Sequence, residues 1–258
     1  MIDERASIHP SAKIASDVQI GPWTSIGENV EIGSGTWIGS HVVIGGPTKI
    51  GAHNKIYPFA SVGLAPQDKR YQGEVTWLEI GDHNVIREYC SLNRGTVQGN
   101  NATRIGDHNL LMANVHVAHD CTIGNHVVIA NNSAMAGHVT IKDRAILSGF
   151  TAVHQFCTIG EYSFTSGGSL VVKDIPPYLL VAPDKRRTMA VGINSEGLKR
   201  NGFTPEQIIQ IQRAFKVIYR KGLALKEAIA QLEEMAKETP AIQLMVDFLQ
   251  QPGRGIVG

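Results

Sequence analysis

Aliphatic residues recur at every sixth position along most of the chain, a period far shorter than that of helical repeat arrays. They form two runs: Ile8, Ile14, Ile20, Ile26, Ile32, Ile38, Ile44, Ile50, Ile56 and Val62, then Ile105, Leu111, Val117, Ile123, Ile129, Met135, Ile141, Leu147, Val153, Ile159 and Val171, with Thr165 as the one polar member of the second run. Small or branched residues two positions earlier, as in Val115-His116-Val117, give the inward-outward-inward pattern of very short strands. Glycine often follows, where a sharply turning chain needs room.

A strand and a turn every six residues, with three strands per coil, predict a mainly β protein: a left-handed parallel β-helix with eighteen-residue coils. The period lapses twice, which predicts projecting loops at about residues 64–78 and 94–103. We expect the β-helix to span residues 1–185 and a small helical domain to span residues 186–258. Within that domain, the segment 204–207 (TPEQ) has the pattern of a helix N-cap with a capping box.

The composition is that of an ordinary globular protein, with 258 residues, 43% hydrophobic and 18% charged residues, and a formal net charge of +1. So small a net charge predicts no attraction to nucleic acid. No apolar run approaches the roughly 18 residues that span a bilayer, and the first residues form no signal segment, so we expect a cytoplasmic protein without stable membrane insertion. Cys90, Cys121 and Cys157 occupy inward positions, which suits small core residues in a reducing compartment.

Histidines gather at one corner of the predicted prism. Because a coil is eighteen residues long, residues eighteen apart lie above one another, and two coils span roughly 10 Å along the axis. This spacing makes two columns, one of His119, Gly137 and Gln155 and one of Asp120, His138 and Phe156, with His154 beside Gln155 and His116 outward on the adjoining strand.

This corner has the residue types that acyl transfer needs. A neutral imidazole can accept a proton from a hydroxyl or amine, and a neighbouring carboxylate can orient it. A glycine N–H, unobstructed by a side chain, can bind a developing oxyanion. We therefore predict direct acyl transfer by His119, Asp120 and Gly137, with no covalent nucleophile, no metal and no cofactor.

Two other interpretations stay open on these residues alone. Clustered histidines on a β-helix could bind Zn²⁺ with water in the fourth position, as in a metal-dependent hydratase of the carbonic anhydrase type. The chain could instead be a non-catalytic scaffold with scattered surface histidines. The histidines outside the corner fit that description: His9, His41, His53, His83, His108 and His126.

A closer resemblance rests on four strings: ANVHVAHDCTIGNHVVIANNSAMAGHVTI, TAVHQF, IPPY and NSEGLKRNGF. With both loops and the helical tail, they resemble the UDP-N-acetylglucosamine O-acyltransferases over nearly the whole chain. The resemblance implies transfer of a (3-hydroxy)acyl chain from acyl carrier protein to the 3-position of UDP-N-acetylglucosamine, the first step of lipid A biosynthesis. It also implies a homotrimer with the site between subunits.

The same resemblance implies a role for particular residues. His119 would be the general base, Asp120 its orienting carboxylate and Gly137 the backbone donor to the oxyanion. The residues implied to line the nucleotide-sugar or acyl-donor site are Asp68, Arg70, His116, His138, His154, Gln155, Asn194, Glu196 and Arg200. Gly167, stacked above Gly149, would be the floor of an acyl-chain ruler, unless both glycines merely serve the geometry of a turn.

The chain departs from the family pattern at Arg70, Asn93 and Asn201, where a lysine, a histidine and a second arginine are usual, and in the segment 182–187 (APDKRR). These departures leave the reaction class unchanged and keep a 3-amino UDP-sugar open as the acceptor. A related N-acyltransferase of later lipid A synthesis would carry an extra N-terminal domain, whereas the repeats begin here at Ile8.

Basic residues are frequent in the C-terminal part: Arg186, Arg187, Lys199, Arg200, Arg213, Lys216, Arg220 and Lys221. Because acyl carrier protein is acidic, this part of the chain is a candidate docking surface for it. Ordinary solvated helix faces would show the same composition, so both interpretations stay open.

Overall fold

The computed structural model describes residues 1–185, 187–251 and 253–258. The strands before the first loop are β1 (Ser7–Ile8), β2 (Lys13–Ile14), β3 (Gln19–Ile20), β4 (Ser25–Ile26), β5 (Val30–Ile32), β6 (Trp37–Ile38), β7 (Val43–Ile44), β8 (Thr48–Ile50), β9 (Lys55–Ile56) and β10 (Ser61–Leu64). They are followed by β11 (Trp77–Ile80), β12 (Val85–Ile86), β13 (Ser91–Asn93), β14 (Ala102–Ile105), β15 (Leu110–Leu111), β16 (His116–Val117), β17 (Thr122–Ile123), β18 (Val128–Ile129), β19 (Ala134–Met135), β20 (Thr140–Ile141), β21 (Ile146–Leu147), β22 (Ala152–Val153), β23 (Thr158–Ile159), β24 (Phe164–Thr165) and β25 (Leu170–Val171).

In the described residues these strands form three parallel sheets, which are the three sides of a prism. The first sheet takes every third strand from β1 to β25, the second every third strand from β2 to β23, and the third every third strand from β3 to β24. Paired residues in the regular coils are eighteen apart, as Thr122 is from Thr140. The predicted left-handed parallel β-helix is confirmed.

Both loops leave the prism at the same corner. Loop 1 (residues 65–76) joins β10 to β11, and loop 2 (residues 94–101) joins β13 to β14, so each connects the first sheet to the second. The turns that follow β16, β19 and β22, with His119, His138 and His154, lie at this corner too. We call it the His119 corner, and the loops cover its lower end.

The interior of the prism is filled by the periodic aliphatic residues, such as Ile38 and Ile129, which are fully buried. The three cysteines are buried and unpaired, as their inward positions predict. Burial raises the pKa of Cys121 to about 12, so its thiol is not a nucleophile at neutral pH. Thr165, the polar member of the inward series, shares a 2.9 Å hydrogen bond with the Thr151 hydroxyl.

A second set of histidines stacks at the corner between the second and third sheets: His53, His83, His108 and His126, with successive ring centroids 4.7 to 4.9 Å apart. All four have positive φ, a conformation in which histidine is enriched. They are turn residues at the surface and lie away from the His119 corner.

The helical part begins after a hairpin. Strand β26 (Leu179–Asp184) runs parallel to β24 and extends the third sheet, and β27 (Arg187–Ile193) pairs antiparallel with β26. The predicted boundary between residues 185 and 186 thus falls at the tip of this hairpin, and Arg186 itself lies outside the described residues. The helices are α1 (Ser195–Arg200), α2 (Pro205–Tyr219), α3 (Leu225–Glu238) and α4 (Gln243–Gln250), with a 3₁₀ turn at Pro240–Ile242.

The predicted capping box at the start of α2 is confirmed. The Thr204 hydroxyl accepts from the Gln207 N–H at 3.2 Å, and the Gln207 side chain accepts from the Thr204 N–H at 2.9 Å. Buried Tyr178 fastens the helices to the end of the prism by donating to the Ala241 carbonyl at 2.8 Å. Over the described ranges, none of the helices has the length and apolar character needed to cross a membrane.

Candidate active site

Loop 2 is fastened to loop 1 and to the prism by Arg94. Its Nη1 donates to the carbonyl oxygens of Gly46 at 2.7 Å and Gly63 at 2.8 Å, and its Nη2 donates to the Tyr71 hydroxyl in loop 1 at 3.0 Å. The guanidinium satisfies several acceptors at once from a fixed, planar set of donors. The two loops therefore form one flap beside the His119 corner.

His119 and Asp120 lie on the turn after β16 and form a hydrogen bond of 2.8 Å between Nδ1 and Oδ2. An ionised carboxylate can only accept, so Nδ1 carries a proton, and in the neutral ring the lone pair is on Nε2. The Asp120 side chain is fully buried, whereas the His119 side chain is 14% exposed. An oriented imidazole that solvent can still reach can take a proton from a bound hydroxyl or amine.

Loop 2 supplies most of the other partners of the Asp120 carboxylate. Thr96 donates twice, from its N–H to Oδ1 at 2.9 Å and from its hydroxyl to Oδ2 at 2.6 Å. The Asn100 N–H adds a longer bond to Oδ1 at 3.3 Å. Burial alone would raise the pKa of Asp120, but the hydrogen bonds from Thr96 and His119 outweigh it and hold the pKa below its ordinary value. Asp120 therefore stays charged at neutral pH and can stabilise an imidazolium.

Two further predicted residues lie beside this pair. His138 Nε2 is 3.8 Å from Asp120 Oδ2, and burial lowers the pKa of His138, so its ring is neutral near pH 7. In loop 1, Asp68 Oδ2 lies 4.0 Å from His119 Nε2. Hydrogen bonds from Arg70, including one of 2.8 Å from Nη2, hold the pKa of Asp68 well below its usual range. The Nε2 nitrogen of His119 thus faces a carboxylate that is ionised at neutral pH.

Gly137 lies one coil above His119, against its ring. A Cβ at this position would come within 2.6 Å of Cε1 and 2.8 Å of Nε2 of His119, so any side chain there would displace the imidazole. Within the described residues, the Gly137 N–H donates to no other group. It is therefore available to an oxyanion that develops close to His119 Nε2.

The corner also contains a cluster of metal-type ligands, because ligand atoms of His119, Asp120 and His138 lie within 4.8 Å of one another. The Asp120 carboxylate is already engaged, however, by Thr96, Asn100 and the proton on His119 Nδ1. A metal would have to displace that proton and break these bonds. This hydrogen bonding fits proton transfer better than Zn²⁺ coordination.

The remaining predicted residues of the corner are held more loosely. His116, on β16, shares a 2.7 Å hydrogen bond between Nδ1 and Ser91 Oγ, and burial lowers its pKa. His154 and Gln155 are exposed on the turn after β22, where His154 Nδ1 bonds the Gln155 carbonyl at 3.1 Å. At the upper end of the His119 corner, polar atoms of these side chains are therefore available to a ligand.

The predicted residues Asn194, Glu196 and Arg200 do not reach the His119 corner. They belong to α1 and its N-cap and line a cavity of about 370 Å³ that also involves Ile146 and Phe164 of the third sheet. That sheet is the side of the prism opposite the His119 corner. The predicted substrate residues of one chain therefore form two separate groups.

Contacts inside the chain already use two of these α1 residues. The Asn194 side chain caps α1, accepting from the Gly197 N–H at 3.1 Å and donating to the Tyr162 carbonyl at 2.9 Å. Glu196 pairs with Lys199 at 2.8 Å, with both side chains well exposed. Asn194 thus has a structural role whatever it contacts in a complex, whereas the surface pair of Glu196 is easily exchanged for a ligand.

Gly149 and Gly167 stack at the third corner, between the third and first sheets. Neither has left-handed φ, which belongs to Gly168 instead. A Cβ on Gly167 would lie 3.5 Å from the Gly149 carbonyl oxygen, an ordinary van der Waals distance. Backbone geometry does not require glycine at 167, so the turn explanation fails there and the missing side chain needs another reason.

Two departures from the family pattern have contacts of their own. Asn93 is buried, and its Nδ2 donates to the Ala65 carbonyl at 2.9 Å, at the start of loop 1, while its Oδ1 has no partner within the described residues. Asn201 closes α1, donating to the Gly197 carbonyl at 2.8 Å and accepting from Arg144 at 2.7 Å. Both asparagines therefore fix backbone segments next to the predicted substrate residues.

Four residues that contact the site were not among the predicted site residues: Ser91, Thr96, Asn100 and Thr103. Thr103 accepts the Asp120 N–H at 2.8 Å, so loop 2 and the strand after it hold Asp120 from both its backbone and its side chain. Of these four, only Ser91 could have been found from the repeat pattern, because it faces outward on the first sheet in register with His116. The others depend on the path of a loop that has no repeat.

Two family models match the chain. A model of the bacterial transferase hexapeptide (six repeats) matches residues 29–63 and 102–137, and the model of UDP-N-acetylglucosamine O-acyltransferase, domain 2, matches residues 174–257. The hexapeptide matches fall on the β-helix, and the second match covers the hairpin and the helices. The two matches therefore agree with the predicted β-helix and with the resemblance of the C-terminal part to this family.

Individual proteins show the relationship over the full length. The acyl-(acyl-carrier-protein)–UDP-N-acetylglucosamine O-acyltransferase of Pseudomonas paraeruginosa is 53% identical over 258 residues, which is 99% of this chain and 98% of that protein. The protein of the same name from Thiobacillus denitrificans is 50% identical over 256 residues, with the same coverage. The solved structure of the Francisella novicida UDP-N-acetylglucosamine acyltransferase superimposes with a TM-score of 0.98 at 45% identity, covering 100% of this chain and 94% of that one. The chain therefore belongs to the UDP-N-acetylglucosamine O-acyltransferase family.

Proposed function

We propose that this protein transfers a (3-hydroxy)acyl chain from acyl carrier protein to the 3-hydroxyl of UDP-N-acetylglucosamine, the first step of lipid A biosynthesis. The observation that carries the proposal is the His119–Asp120 pair, joined at 2.8 Å, which leaves one imidazole nitrogen free beside Gly137. Relatives that are 50% and 53% identical over the whole chain are named for this transfer.

The reaction moves one proton from the sugar hydroxyl to the leaving thiol. His119 Nε2 accepts that proton as the hydroxyl oxygen attacks the thioester carbonyl, and Asp120 stabilises the imidazolium. The Gly137 N–H donates to the resulting oxyanion. The carbon–sulfur bond then breaks, the carbonyl re-forms, and His119 returns the proton to the sulfur of the carrier. The base is regenerated without a covalent enzyme intermediate.

Gly137→Ala should lower kcat by roughly 10- to 100-fold, because the new methyl group displaces His119 from its position against Asp120. The KM for the sugar nucleotide should change little, and steady-state kinetics would measure both. The matched control is Gly192→Ala on β27, where an added Cβ meets nothing within 4 Å. A Gly137→Ala variant with normal kcat would contradict the proposed placement of the base and the oxyanion donor.

We place the complete site between two copies of the chain in a homotrimer. One copy carries His119 at one corner and Asn194, Glu196 and Arg200 on the opposite side of the prism. The outward residues of the first sheet are mostly small or apolar: Ser7, Ser25, Val43, Ser61, Ser91, Ala134, Ala152 and Leu170, with His116 as the exception. Exposed Phe59, Tyr89 and Phe150 flank this sheet at its corner with the third. A flat, weakly charged side edged by exposed aromatics suits side-by-side packing with cyclic closure.

We assign docking of acyl carrier protein to one face of α2. Arg213 and Lys216 are exposed and share this face with exposed Ile209 one turn earlier, and exposed Arg220 follows directly after the helix. A basic helix face with an apolar residue complements an acidic protein electrostatically. Arg187, Lys199 and Lys221 add to the local charge, and Arg186 lies outside the described residues.

Reversing two of these charges, Arg213→Glu with Lys216→Glu, should raise the KM for the carrier-bound donor about tenfold by weakening electrostatic docking. The KM for the sugar nucleotide should not change. The control is Lys226→Glu with Lys237→Glu on α3, which changes the net charge by the same amount on another exposed helix. Equal effects in both double variants would mean that net charge, and not this face, governs docking.

The experiment that tests the proposed function is acyl transfer from a panel of acyl carrier protein thioesters to UDP-N-acetylglucosamine and to its 3-amino analogue. Wild-type protein and His119→Ala are compared, and transfer that disappears in the variant supports the proposal. A preference for the amine would make the 3-amino sugar the acceptor. No transfer to either sugar by folded wild type would refute the proposal, and zinc content with hydratase activity would be measured next.

We place the reaction in the cytoplasm, since the cysteines are buried and unpaired.

A further inference from the structure

Asp120 lies in a pocket that loop 2 closes completely. The carboxylate is 0% exposed, and Thr96, which covers it, is 0% exposed as well. Gly99 of the same loop packs so closely that a Cβ there would overlap the carboxylate. Solvent does not reach the carboxylate in this structure, so the loop donors decide how it is oriented.

The Thr96 hydroxyl has a distinct position among these donors. It donates at 2.6 Å to Oδ2, the oxygen that also accepts the proton of His119 Nδ1 at 2.8 Å. The backbone N–H of Thr96 bonds Oδ1 at 2.9 Å instead. The Thr96 hydroxyl and the His119 imidazole thus donate to the same carboxylate oxygen, Oδ2. By occupying one lone pair of Oδ2, the hydroxyl fixes the direction of the lone pair that accepts the Nδ1 proton.

We infer that Thr96 is a positioning residue for catalysis, whose hydroxyl holds Asp120 so that His119 keeps its Nδ1 proton on Asp120 and its Nε2 free as the base. This inference rests on the proposed function only for the identity of the substrates. Thr96 does not touch the reacting atoms. It acts through Asp120, and loop 2 thereby becomes part of the catalytic apparatus and not only a cover.

The backbone around Thr96 explains why the hydroxyl is held so firmly. The Thr96 carbonyl accepts from Gly99 N–H at 3.2 Å and from Asn101 N–H at 3.1 Å, which closes loop 2 into a tight turn. Arg94, two residues before Thr96, fastens the base of the loop to the prism and to Tyr71. The Thr96 side chain therefore has little freedom to follow the carboxylate if the carboxylate turns.

The variant that isolates the hydroxyl is Thr96→Val, which keeps the volume and the backbone donor. We expect kcat to fall by roughly 10- to 100-fold, the size of effect when a hydrogen bond to a charged group is lost. The KM values should stay within about twofold, because Thr96 contacts no substrate in the proposed mechanism. Thr96→Ser restores the hydroxyl and should recover most of the rate.

The pH profile separates positioning from a merely structural role. The charged or titratable groups around Asp120 are His119, His138 at 3.8 Å, the buried Cys121 thiol and, farther out, Arg70, while Asp68 faces His119. Burial by itself raises the pKa of Asp120, and the Thr96 hydroxyl is among the groups that offset it. In Thr96→Val, the pKa of Asp120 should therefore rise, which moves the acid limb of kcat/KM to higher pH.

The matched control is Thr36→Val. Thr36 is buried at another corner, and its hydroxyl donates to the Gly51 carbonyl at 3.0 Å. We expect a similar loss of thermal stability in both valine variants, but a changed kcat and acid limb only in Thr96→Val. Equal kinetic losses in the two variants, or a normal acid limb in Thr96→Val, would overturn the inference.

A direct reading of the hydrogen bond keeps this test independent of the substrate assignment. In protein with ¹⁵N-labelled histidine, the His119 Nδ1 proton bonded to Asp120 should give a low-field NMR signal, assigned by its loss in His119→Asn. We expect Thr96→Val to shift or broaden this signal, and Thr36→Val to leave it unchanged. An unaltered signal in Thr96→Val refutes the inference even if wild type transfers acyl chains. Failure of wild type to transfer refutes only the proposed function.

Discussion

His119→Asn should reduce acyl transfer by about 10²- to 10⁴-fold, the contribution expected of a general base. The asparagine amide places Nδ2 close to the former position of the imidazole Nδ1, so it can still donate to the buried Asp120 carboxylate. It offers no nitrogen in place of Nε2. The loss therefore measures the missing base and not an unpaired buried charge, and it should appear in kcat with saturating carrier thioester and sugar nucleotide.

The matched control is His108→Asn, the same substitution in the histidine stack at the corner between the second and third sheets. His108 has φ of 58°, a conformation that asparagine tolerates, so the fold should be unaffected. This variant should transfer at the wild-type rate, and both variants should elute and melt like wild type. If His119→Asn kept its activity within a few-fold, the base would have to be another group, and His138, 3.8 Å from Asp120, would be tested next.

The prism could be predicted in detail because its period recurs in every coil. Each coil must fill the same interior, so each inward position needs a small or aliphatic residue, and a single exception such as Thr165 does not hide the pattern. Stacking at eighteen-residue spacing is enough to predict that His119, Asp120, Gly137 and His138 lie together. These residues lie in regular turns, where sequence distance translates directly into position.

The rest of the site depends on parts of the chain that do not repeat. Thr96 meets Asp120 across twenty-four residues, and the contact exists only because Arg94 fixes the path of loop 2. The hairpin that extends the third sheet likewise lacks the six-residue period, so the predicted domain boundary fell at its tip, between residues 185 and 186. A resemblance implied Asn194 as a substrate residue, but its capping of α1 follows from local geometry that the resemblance did not contain.

Gly167→Met should shift the preference toward shorter acyl chains. A Cβ fits at 3.5 Å from the Gly149 carbonyl, and Gly167 has no left-handed φ, so the backbone should accept methionine without strain. Each buried methylene contributes about 0.8 kcal/mol, so excluding three or four of them costs roughly 50- to 200-fold in kcat/KM for the longest donor. Donors short enough to end before the methionine should react as in wild type.

The informative quantity is the ratio of kcat/KM for long and short carrier thioesters, with Gly192→Met as the control at an open position on β27. A ratio unchanged in Gly167→Met would show that this column does not limit the chain. An equal loss for all donors would point to a disturbed assembly, which size-exclusion chromatography would reveal.

A selective loss of long donors would also bear on the proposed homotrimer. Gly167 lies at the corner between the third and first sheets, whereas His119 lies at the corner between the first and second. The interior of the prism is filled, so an acyl chain that starts at His119 cannot reach Gly167 of the same copy through the protein. It would have to run along the first sheet or end at Gly167 of a neighbouring copy. Mixed trimers of Gly167→Met and His119→Asn subunits would distinguish the two paths, because only the first kind of subunit keeps His119 and only the second keeps Gly167. If the acyl chain stays on one copy, long donors should not react in these trimers. If it ends at Gly167 of a neighbouring copy, part of the long-donor transfer should return.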